Sequence, residues 1–595
     1  FQIGNPSWVR PRTDVDALLS EHDPWFGLAH KPKQAEKKAK RELLADDESV
    51  LATLARGVSD AVVTSAVLGD ETRFPHLKGQ QPDLYRAFME RTWANAATEG
   101  VVSLIHPESH FTEKKAAPLR AGAYRRLRRH WQFINALMLF DIDDHVVYGV
   151  HIYGSPLERP RFLMAAKMYH PSTAANSLHH DGSGDLPGIK DPNYNWDLRP
   201  HRDRIITVDE ETLELWHSIL EESDTPLLAT RTVYTVNTDA SDVLAKLAAA
   251  PRMKALGLQF SNGWHESGDK KKGYFDTSWQ HPDTWSDAIL QGPHLGVSTP
   301  MIKQPNPTMK HNQDWTEVDF EAMPAGFIPA TAYFPNRDEQ PNYDSDFGFW
   351  NTRDGRVRII DQFRVAWRRM AATTGFRTLY PAIIPPGSHH VHPIVSAGPL
   401  GSMTSVTGAA FASGILNDFI QRSRGSGDIF GSSFENLALG NENALWPTLA
   451  RLFLRLNCLT EVYAPLWEEV TGEKWTMDTP LRNARDRWHA QNDIDAIVAL
   501  SLGITADELC MIYRTQFPVM RRYDQEDLFD ANGRKVAGDV VKLQKMLKGD
   551  AELTIEERTW THPQSGAIYT FEYPFAPLDR EANLRAAYAR YEKEL

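Results

Sequence analysis

The sequence predicts an α/β protein with an open sheet in residues 1–170, followed by a mixed α+β region over 226–425 and a mainly helical region over 426–595. Two observations predict the first part. The chain opens on an apolar segment that ends in a rigid turn, and short apolar segments bounded by glycine or proline then alternate with helix-prone segments. Residues 171–225 begin with a stretch rich in proline, aspartate, asparagine and glycine, which indicates a linker or insertion.

The elements of the first part are predicted from local patterns of apolar and charged residues. Helical spacing of apolar residues predicts helices, whereas a short apolar run ended by proline is typical of a buried parallel strand. In chain order we expect helices over 13–60 and 78–99, a buried strand over 100–107, a basic helix over 114–130, and strands over 132–140 and 146–154.

The rest of the chain is rich in turn residues up to about residue 420 and then becomes helical. Polar loops between short strands suit a recognition module, because loops carry function on a rigid scaffold. We expect a strand over 227–237, helices over 240–247 and 413–423, mostly helical structure over 441–502, a turn at Asn532-Gly533, and a final helix over 579–595.

Composition and charge limit the classes of protein. The 42% hydrophobic and 24% charged content is ordinary for a globular protein, and 595 residues allow several domains. Cys458 and Cys510 cannot build a disulfide framework, which favours a reducing, cytoplasmic compartment. No apolar run approaches the length that a helix needs to cross a bilayer, so no transmembrane helix is expected. The net charge of −13 argues against a nucleic-acid-binding surface over the whole protein but allows a local basic groove.

The opening turn, Gly4-Asn5-Pro6-Ser7-Trp8, carries the most specific chemistry. An exocyclic amine is a weak nucleophile, and acceptors that bind its hydrogens draw the lone pair out of the ring plane. The side-chain carbonyl of Asn5 and the backbone carbonyl of Pro6 are such acceptors. Trp8 offers a face on which a flipped base can stack. Taken alone, Asn-Pro is equally an ordinary turn at the end of a strand.

Four stretches together resemble the large N6-adenine DNA methyltransferases of bacterial phage-defence and type IIG restriction–modification systems. The likeness is strongest to the DISARM methyltransferase and more distant to the BREX methyltransferase PglX. The stretches are residues 4–11, 104–111, 124–133, and 377–387 together with 414–419. The resemblance implies the C-terminal half of a class I (Rossmann-like) methyltransferase sheet in 1–170 and a target-recognition domain in 226–425.

The resemblance also implies a reaction and its partners. It predicts site-specific methylation of adenine N6 in double-stranded DNA, with S-adenosylmethionine as methyl donor, base flipping, and Asn5, Pro6 and Trp8 as catalytic residues. It leaves open an association with a helicase or nuclease of the same antiviral system.

Two features depart from the family pattern. Ser7 stands where the family has a second proline, and no convincing buried strand runs into Gly-x-Gly. Gly425-Ser426-Gly427 lies in a polar stretch without such a strand. We therefore expect the cofactor lobe upstream of Phe1 or on another chain, with Phe1 and Tyr148 bordering the cofactor and base pockets.

DNA contacts are predicted at two places. Arg125, Arg126, Arg128 and Arg129 are candidates for binding phosphate, which positions DNA without reading its sequence. Base readout is expected in the loop that contains Lys303, Gln304, Asn306, Lys310, His311 and Asn312. The alternatives are a solvated helix face for the first set and a scaffold loop for the second.

No metal site is predicted. His389-His390-Val391-His392 has no obvious partner ligands and is interpreted as a polar loop, as is His179-His180-Asp181. Two other functions stay open: a DNA-binding specificity module without catalysis, and the modification and recognition part of a type IIG restriction endonuclease.

Overall fold

The computed structural model describes residues 1–425, 427–547 and 551–595. The chain divides into two compact units, the first made of Phe1–Asp185 with Leu198–Val233 and the second of Leu186–Asp197 with Tyr234–Leu595. This division corrects the predicted boundaries. The expected linker 171–225 contributes a helix, a strand and a second helix to the first unit, and most of residues 226–425 share one compact unit with residues 426–595. Ser426, in the stretch Gly425-Ser426-Gly427, lies outside the described residues.

The first unit contains a mixed sheet and helices. Its strands are β1 (Gln2–Gly4), β2 (Val102–Pro107), β3 (Leu127–Ile134), β4 (Val147–Tyr153), β5 (Phe162–Met168) and β6 (Ile206–Val208). Its helices are α1 (Val15–Leu19), α2 (Trp25–Leu28), α3 (Gln34–Leu44), α4 (Glu48–Leu68), α5 (Leu84–Ala94), α6 (Ser109–Thr112), α7 (Ala117–Arg126), α8 (Pro171–Ser177) and α9 (Glu210–Leu220).

The strand order of this sheet is β1-β2-β4-β3-β5-β6. β1 runs parallel to β2, while β4 lies between β2 and β3 and is antiparallel to both. β3 runs parallel to β5. The carboxyl ends of β1 and β2 therefore point to the same edge of the sheet. The opening turn begins opposite Ile105, because Gly4 pairs with Leu104 while β2 continues to Pro107.

Both faces of the sheet are buried. His106, His151 and His130 alternate with Ile105, Val150 and Trp131 along neighbouring strands, so the two sets point to opposite faces. One face bears the aromatic cluster that contains Trp131, Phe133 and Tyr148. The other face carries the three histidines, all with no solvent exposure. An α/β sheet covered on both sides fits the predicted fold class.

The basic segment differs from its predicted form. The helix predicted over 114–130 is α7, which ends at Arg126, and the chain turns directly into β3 at Leu127. The strand expected over 132–140 therefore lies earlier, at Leu127–Ile134. Arg128 and Arg129 obscure the alternation of buried side chains that begins at Leu127, because an arginine can pack its long stem on the protein while its charged end reaches solvent.

Helix α4 departs from the expectation that no apolar run approaches the length of a bilayer span. It is long and apolar enough to cross a membrane by length and composition, and it is mostly exposed. A single helix of this kind is weak evidence for a membrane span.

The second unit combines small sheets with a helical core. Its strands are β7 (Gln259–Ser261), β8 (Phe275–Gln280), β9 (Ile289–Leu290), β10 (Lys303–Pro305), β11 (Trp315–Glu317), β12 (Thr331–Pro335), β13 (Phe349–Thr352), β14 (Gly355–Arg358), β15 (Arg364–Arg368), β16 (Pro381–Ile384), β17 (His389–His390), β18 (Ile394–Gly398), β19 (Thr559–Thr561) and β20 (Ile568–Thr570).

Its helices agree with the predicted trend toward helical structure late in the chain. They are α10 (Thr238–Ala249), α11 (Gly268–Lys271), α12 (Tyr343–Asp346), α13 (Ser402–Ser413), α14 (Ile415–Ser423), α15 (Gly431–Glu435), α16 (Trp446–Asn457), α17 (Ala464–Thr471), α18 (Ala484–Ser501), α19 (Ala506–Gln516), α20 (Pro518–Glu526), α21 (Gly538–Met546) and α22 (Arg580–Tyr591). The strand expected over 227–237 is wrong: these described residues form a 3-10 turn at Leu227–Ala229 and an extended segment without ladder partners.

A buried carboxylate organises the core of the second unit. Asp418, on α14, accepts hydrogen bonds from Arg377 Nε and Arg422 Nε, each at 2.8 Å, and has no solvent exposure. The same carboxylate accepts the backbone N–H groups of Thr378 and Leu379. The stretch around Asp418, which carried part of the resemblance, thus fixes the loop at 377–379.

Candidate active site

The opening turn lies at the carboxyl end of β1, as the sequence predicts. Asn5 and Ser7 are exposed, whereas Pro6 and Trp8 are half-buried. Gly4 pairs with Leu104 of β2, so the polar turn begins directly where the parallel ladder ends. In open α/β sheets, ligands bind in the crevice outside the carboxyl ends of the strands. Asn5 is the first exposed side chain beyond this end of the ladder.

Contacts on the far side of the turn hold it in place. The Trp8 indole Nε1 donates to the carbonyl of Ile105 at 3.4 Å. One residue on, the carbonyl of Val9 accepts from the Leu84 N–H at 3.0 Å. The guanidinium of Arg10 then binds the Asp83 carboxylate at 3.2 Å. These three anchors join the turn to β2 and to the start of α5, although a serine replaces the expected second proline.

Trp8 rests on other aromatic rings. Its ring centroid lies 6.0 Å from that of Tyr148 and 6.4 Å from that of Phe140. Tyr148 is buried, and burial raises the pKa of its hydroxyl. Tyr148 therefore supports Trp8 from behind, which refines its expected place in the wall of a base pocket. A rigid aromatic floor of this kind suits the stacking of a planar base.

Phe1 contributes little to a binding site. Its side chain is fully exposed, at 101% of the reference area, just before β1. An exposed phenyl ring offers apolar surface but no hydrogen-bonding group for a cofactor. Its predicted contact with S-adenosylmethionine remains a prediction.

The predicted phosphate-binding arginines divide into two pairs. Arg126 donates to the Gly122 carbonyl at 3.0 Å and lies 4.9 Å over the Trp93 ring, and Arg128 donates to the Ser155 carbonyl at 2.7 Å. Arg125 and Arg129 are exposed. The inner pair stabilises the end of α7 and the start of β3, while the outer pair is available to solvent.

The predicted base-reading loop is the hairpin that joins β10 and β11. Asp314 organises it by accepting from the Asn306 amide at 2.8 Å, the Thr308 hydroxyl at 2.6 Å and the Lys310 N–H at 2.9 Å. These hydrogen bonds lower the pKa of the Asp314 carboxyl far below its ordinary value. Asn306 is therefore a scaffold residue, in line with the alternative interpretation of this loop.

The remaining loop candidates differ in their surroundings. Gln304 accepts from the Ala330 N–H at 3.3 Å, and Lys303 lies 3.4 Å from the Glu317 carboxylate. Lys310, His311 and Asn312 are exposed at the tip of the hairpin. An ordered hairpin that presents polar side chains at its tip can act as a reading loop, and among the predicted residues the tip residues are the ones placed to do so.

A cleft of about 660 Å³ in the second unit was not anticipated. Lys303 and Glu317 line it beside the arginines Arg368, Arg482 and Arg487. Arg482 donates to the carbonyl of Phe320 at 2.8 Å, and Arg487 to that of Leu456 at 3.0 Å. Burial lowers the pKa of Arg487 to about 9. Carbonyl partners carry no formal charge, so these guanidinium groups contribute positive charge to a cleft whose lining also includes the acids Glu317, Asp319, Glu321 and Asp527. Arg368 is far in sequence from Arg482 and Arg487, which is why no local pattern indicated the three together.

The histidine-rich stretch is not a polar loop. His389 and His390 form β17 and are fully buried. His389 Nε2 lies 3.3 Å from the Asp344 carboxylate, and His390 Nε2 forms a hydrogen bond with the Ser396 hydroxyl at 2.8 Å. Burial lowers the pKa of His389 to about 4 and that of His390 to about 3. Both imidazoles are therefore neutral at physiological pH.

Comparisons with known proteins give low similarity. No protein-family model matches the chain, and no curated protein matches it. Two solved structures are similar over part of their length. The type IIG restriction endonuclease BpuSI has 12% identity and a TM-score of 0.25, and the match covers 75% of this chain and 52% of that protein. The type IIL restriction–modification enzyme MmeI in complex with DNA has 9% identity and a TM-score of 0.31, and the match covers 77% of this chain and 55% of that protein. The chain spans about half the length of each. Neither likeness indicates an activity.

Proposed function

We propose that this chain is the base-holding half and the target-recognition part of a site-specific DNA N6-adenine methyltransferase. The observation that carries the proposal is the Asn5-Pro6 turn at the carboxyl end of β1, with the half-buried Trp8 behind it. Two carbonyl acceptors beside an aromatic face are the groups that an exocyclic amine on a flipped base requires.

The surrounding sheet supports this assignment. β1 and β2 are parallel, and β4 is inserted antiparallel between β2 and β3. The predicted second half of an open α/β sheet is compatible with this order. The turn therefore occupies a position where such sheets bind ligands, rather than a position at random on the surface.

The residues of this chain act on the base. An adenine that leaves the duplex stacks against Trp8, and its N6 amino group donates hydrogen bonds to the Asn5 side-chain oxygen and the Pro6 carbonyl. Both acceptors draw the nitrogen lone pair out of conjugation with the ring, so that N6 becomes nucleophilic. After methylation N6 loses one proton, and the exposure of the turn lets solvent accept it.

S-adenosylmethionine supplies the methyl group as a sulfonium. Among the described residues only Phe1 was assigned to it, and this exposed phenyl ring does not by itself form a binding site. We therefore place the main cofactor site outside this chain and derive no binding contact for the cofactor from it.

DNA binding is assigned to three surfaces by their charge and exposure. The exposed Arg125 and Arg129 would contact phosphates, and the hairpin tip at Lys310–Asn312 would read bases. The cleft that holds Arg482 and Arg487 offers positive charge for a further phosphate contact. Arg125 and Arg129 would bind all DNA sequences alike, whereas the hairpin tip would discriminate among sequences.

The test is methyl transfer from labelled S-adenosylmethionine to DNA by the full-length protein. Asn5→Ala should lower the rate by a factor of about 100 or more, because one preorganised hydrogen-bond partner of a reacting group typically contributes that much. Asn193→Ala, which alters another exposed asparagine, serves as the control and should leave the rate unchanged. Equal rates for Asn5→Ala and the parent protein would refute the catalytic assignment.

A second candidate is a DNA-binding specificity module without catalysis, or the modification and recognition part of a type IIG restriction endonuclease. Ser7 in place of the expected second proline favours the first of these. Sequence-specific DNA binding by a full-length protein that binds no S-adenosylmethionine would support the module and exclude the methyltransferase.

A further inference from the structure

A buried cluster of one glutamate and two histidines lies beneath the sheet surface of the first unit. His130 Nε2 and His151 Nε2 each lie 2.9 Å from a different oxygen of the Glu108 carboxylate. Both histidines have no exposure, and Glu108 is 6% exposed. One donor atom from each residue lies within 4.8 Å of the other two. Three groups that bind metals therefore converge at one point.

Rigid elements hold these three side chains. His130 of β3 and His151 of β4 are directly opposite in the antiparallel ladder, so they share one face of the sheet. Glu108 comes directly after Pro107, the last residue of β2, which pairs with β4 on its other side. The three residues thus join three adjacent strands. Ligands on paired strands are positioned more precisely than ligands on loops.

A glycine in the middle of β4 makes room for the cluster. A Cβ atom on Gly149 would collide with Glu108 Oε1 and with the imidazole of His151. Glycine weakens the interior of a strand and commonly marks a place where another group approaches closely. Gly149 is therefore the residue that lets the carboxylate reach the imidazole.

A second layer of side chains orients the first. The ring of His106 stacks on that of His151 with centroids 3.9 Å apart and planes at 3°. His106 Nε2 in turn bonds the Tyr153 hydroxyl at 3.0 Å. Stacking of this kind restricts the rotation of the His151 ring and so fixes its orientation.

We propose that Glu108, His130 and His151 form a structural site for a divalent transition metal, with Zn²⁺ the best fit. Two imidazoles and a carboxylate are a common ligand set for zinc, and nitrogen ligands disfavour Mg²⁺ and Ca²⁺. The two oxygens of one carboxylate are too close together to occupy two corners of a tetrahedron, so the three residues supply three of the four ligands of a tetrahedral zinc, and a water molecule would complete it. Burial keeps substrate away from this position, which suits a structural role.

The donor atoms are close enough together that the side chains would need to move only a little when a metal binds. Ligand bonds of about 2.0–2.1 Å in a tetrahedral arrangement place donor atoms roughly 3.3 Å apart. The 2.9 Å contacts are hydrogen bonds, and the metal would replace their protons while the side chains open by about 0.4 Å. The site would join β2, β3 and β4.

The alternative for the same atoms is a hydrogen-bonded Glu–His–His group that never binds metal. The two alternatives differ in metal content, which does not depend on methyl transfer. Failure of the proposed methyltransferase activity would therefore leave the metal proposal untouched, and the reverse is also true.

The first experiment measures metal in the full-length protein purified without a histidine tag. Elemental analysis should find about one equivalent of zinc, and Glu108→Gln should lose it. His145→Gln is the matched control and should keep the zinc, because His145 lies in a separate exposed group with Asp143 and Asp144. Zinc that persists in Glu108→Gln, or that disappears in His145→Gln, would overturn the proposal.

A second measurement uses the parent protein, in case the variant fails to fold. X-ray absorption of the zinc protein should report two imidazoles and oxygen donors, and removal of zinc by a chelator should lower Tm by several degrees. The proposal is overturned if the folded protein holds no zinc and its Tm does not respond to added Zn²⁺, or if absorption shows no imidazole ligand.

Discussion

The ends of two neighbouring strands, β1 and β2, both lead into polar side chains, yet their surroundings are opposite. After β1 the amide of Asn5 is exposed at the sheet edge. After β2 the carboxylate of Glu108 is buried and bonded to two imidazoles. β1 is the outer strand of the sheet, whereas β2 lies between β1 and β4, so the difference arises from the position in the sheet and from the side chains that cover each strand end.

This contrast separates a group that can act on a ligand from one that holds the fold. A buried polar group must be satisfied internally, and removing its partner costs free energy of unfolding. An exposed amide loses little stability when it is removed, because water replaces its partners. Substitutions at the buried end should therefore change stability, whereas substitutions at the exposed end should change methyl transfer.

The largest effect on stability is expected for Gly149→Ala. The added Cβ collides with Glu108 and His151, so either the strand or the cluster must shift, which should cost about 3 kcal/mol or more of unfolding free energy. Urea unfolding of the full-length protein measures it.

Gly4→Ala provides the matched control for this prediction. The added Cβ on β1 would make an ordinary 3.7 Å contact with Leu104, so the cost should stay under about 1 kcal/mol. Equal destabilisation by Gly149→Ala and Gly4→Ala would contradict the contrast between the exposed end of β1 and the buried end of β2.

A pH dependence extends the comparison to the buried histidines of the second unit. Burial lowers the pKa of His389 to about 4 and of His390 to about 3, below the ordinary value near 6.5. Between these values the unfolded chain binds more protons than the folded chain, so stability falls as pH drops below about 6.5.

One such group contributes about 2 kcal/mol between pH 7.5 and pH 5. Unfolding measured at pH 7.5 and pH 5 should show at least this loss, and His390→Asn should reduce it. His145→Gln, which alters an exposed histidine, should leave the dependence unchanged. A stability that rises toward pH 5 would contradict the assignment of neutral buried imidazoles.

The smallest effects on stability are expected among the basic residues. Arg125→Ala and Arg129→Ala should change the free energy of unfolding by under about 0.5 kcal/mol but weaken DNA binding for all sequences. Each should flatten the dependence of log K on log salt by about 0.9 if one phosphate contact is lost.

Arg126→Ala tests the same assignment with a residue of the inner pair. It removes the bond to Gly122 and the contact with Trp93, so it should lower stability by about 1–2 kcal/mol. Its salt dependence should match that of the parent. A flattened dependence in Arg126→Ala alone would assign the phosphate contact to the inner pair instead.

Much of the first unit could be predicted because its signals are local. The strand near 100–107, the strand near 146–154 and the turn at Asn5 are each indicated by a run of a few residues. The end of α7 could not be predicted, since Arg125–Arg129 continue a basic pattern across the change from helix to strand.

The buried cluster was also invisible in the sequence. His130 and His151 are separated by 22 and 43 residues from Glu108, whose carboxylate they share. Their meeting depends on β4 pairing with both β2 and β3 in one register, and a single sequence does not give that register. Gly149 was the one local signal, because a glycine inside a strand often indicates a close approach.

The most direct test of the central claim locates the methyl group. DNA incubated with the full-length protein and S-adenosylmethionine is digested to nucleosides, and the methylated nucleoside is identified by mass spectrometry. N6-methyladenine that appears with the parent protein and is lost with Asn5→Ala is the predicted result. Methylation of another base, or N6-methyladenine formed equally well by Asn5→Ala, would contradict the assignment of the Asn5-Pro6 turn.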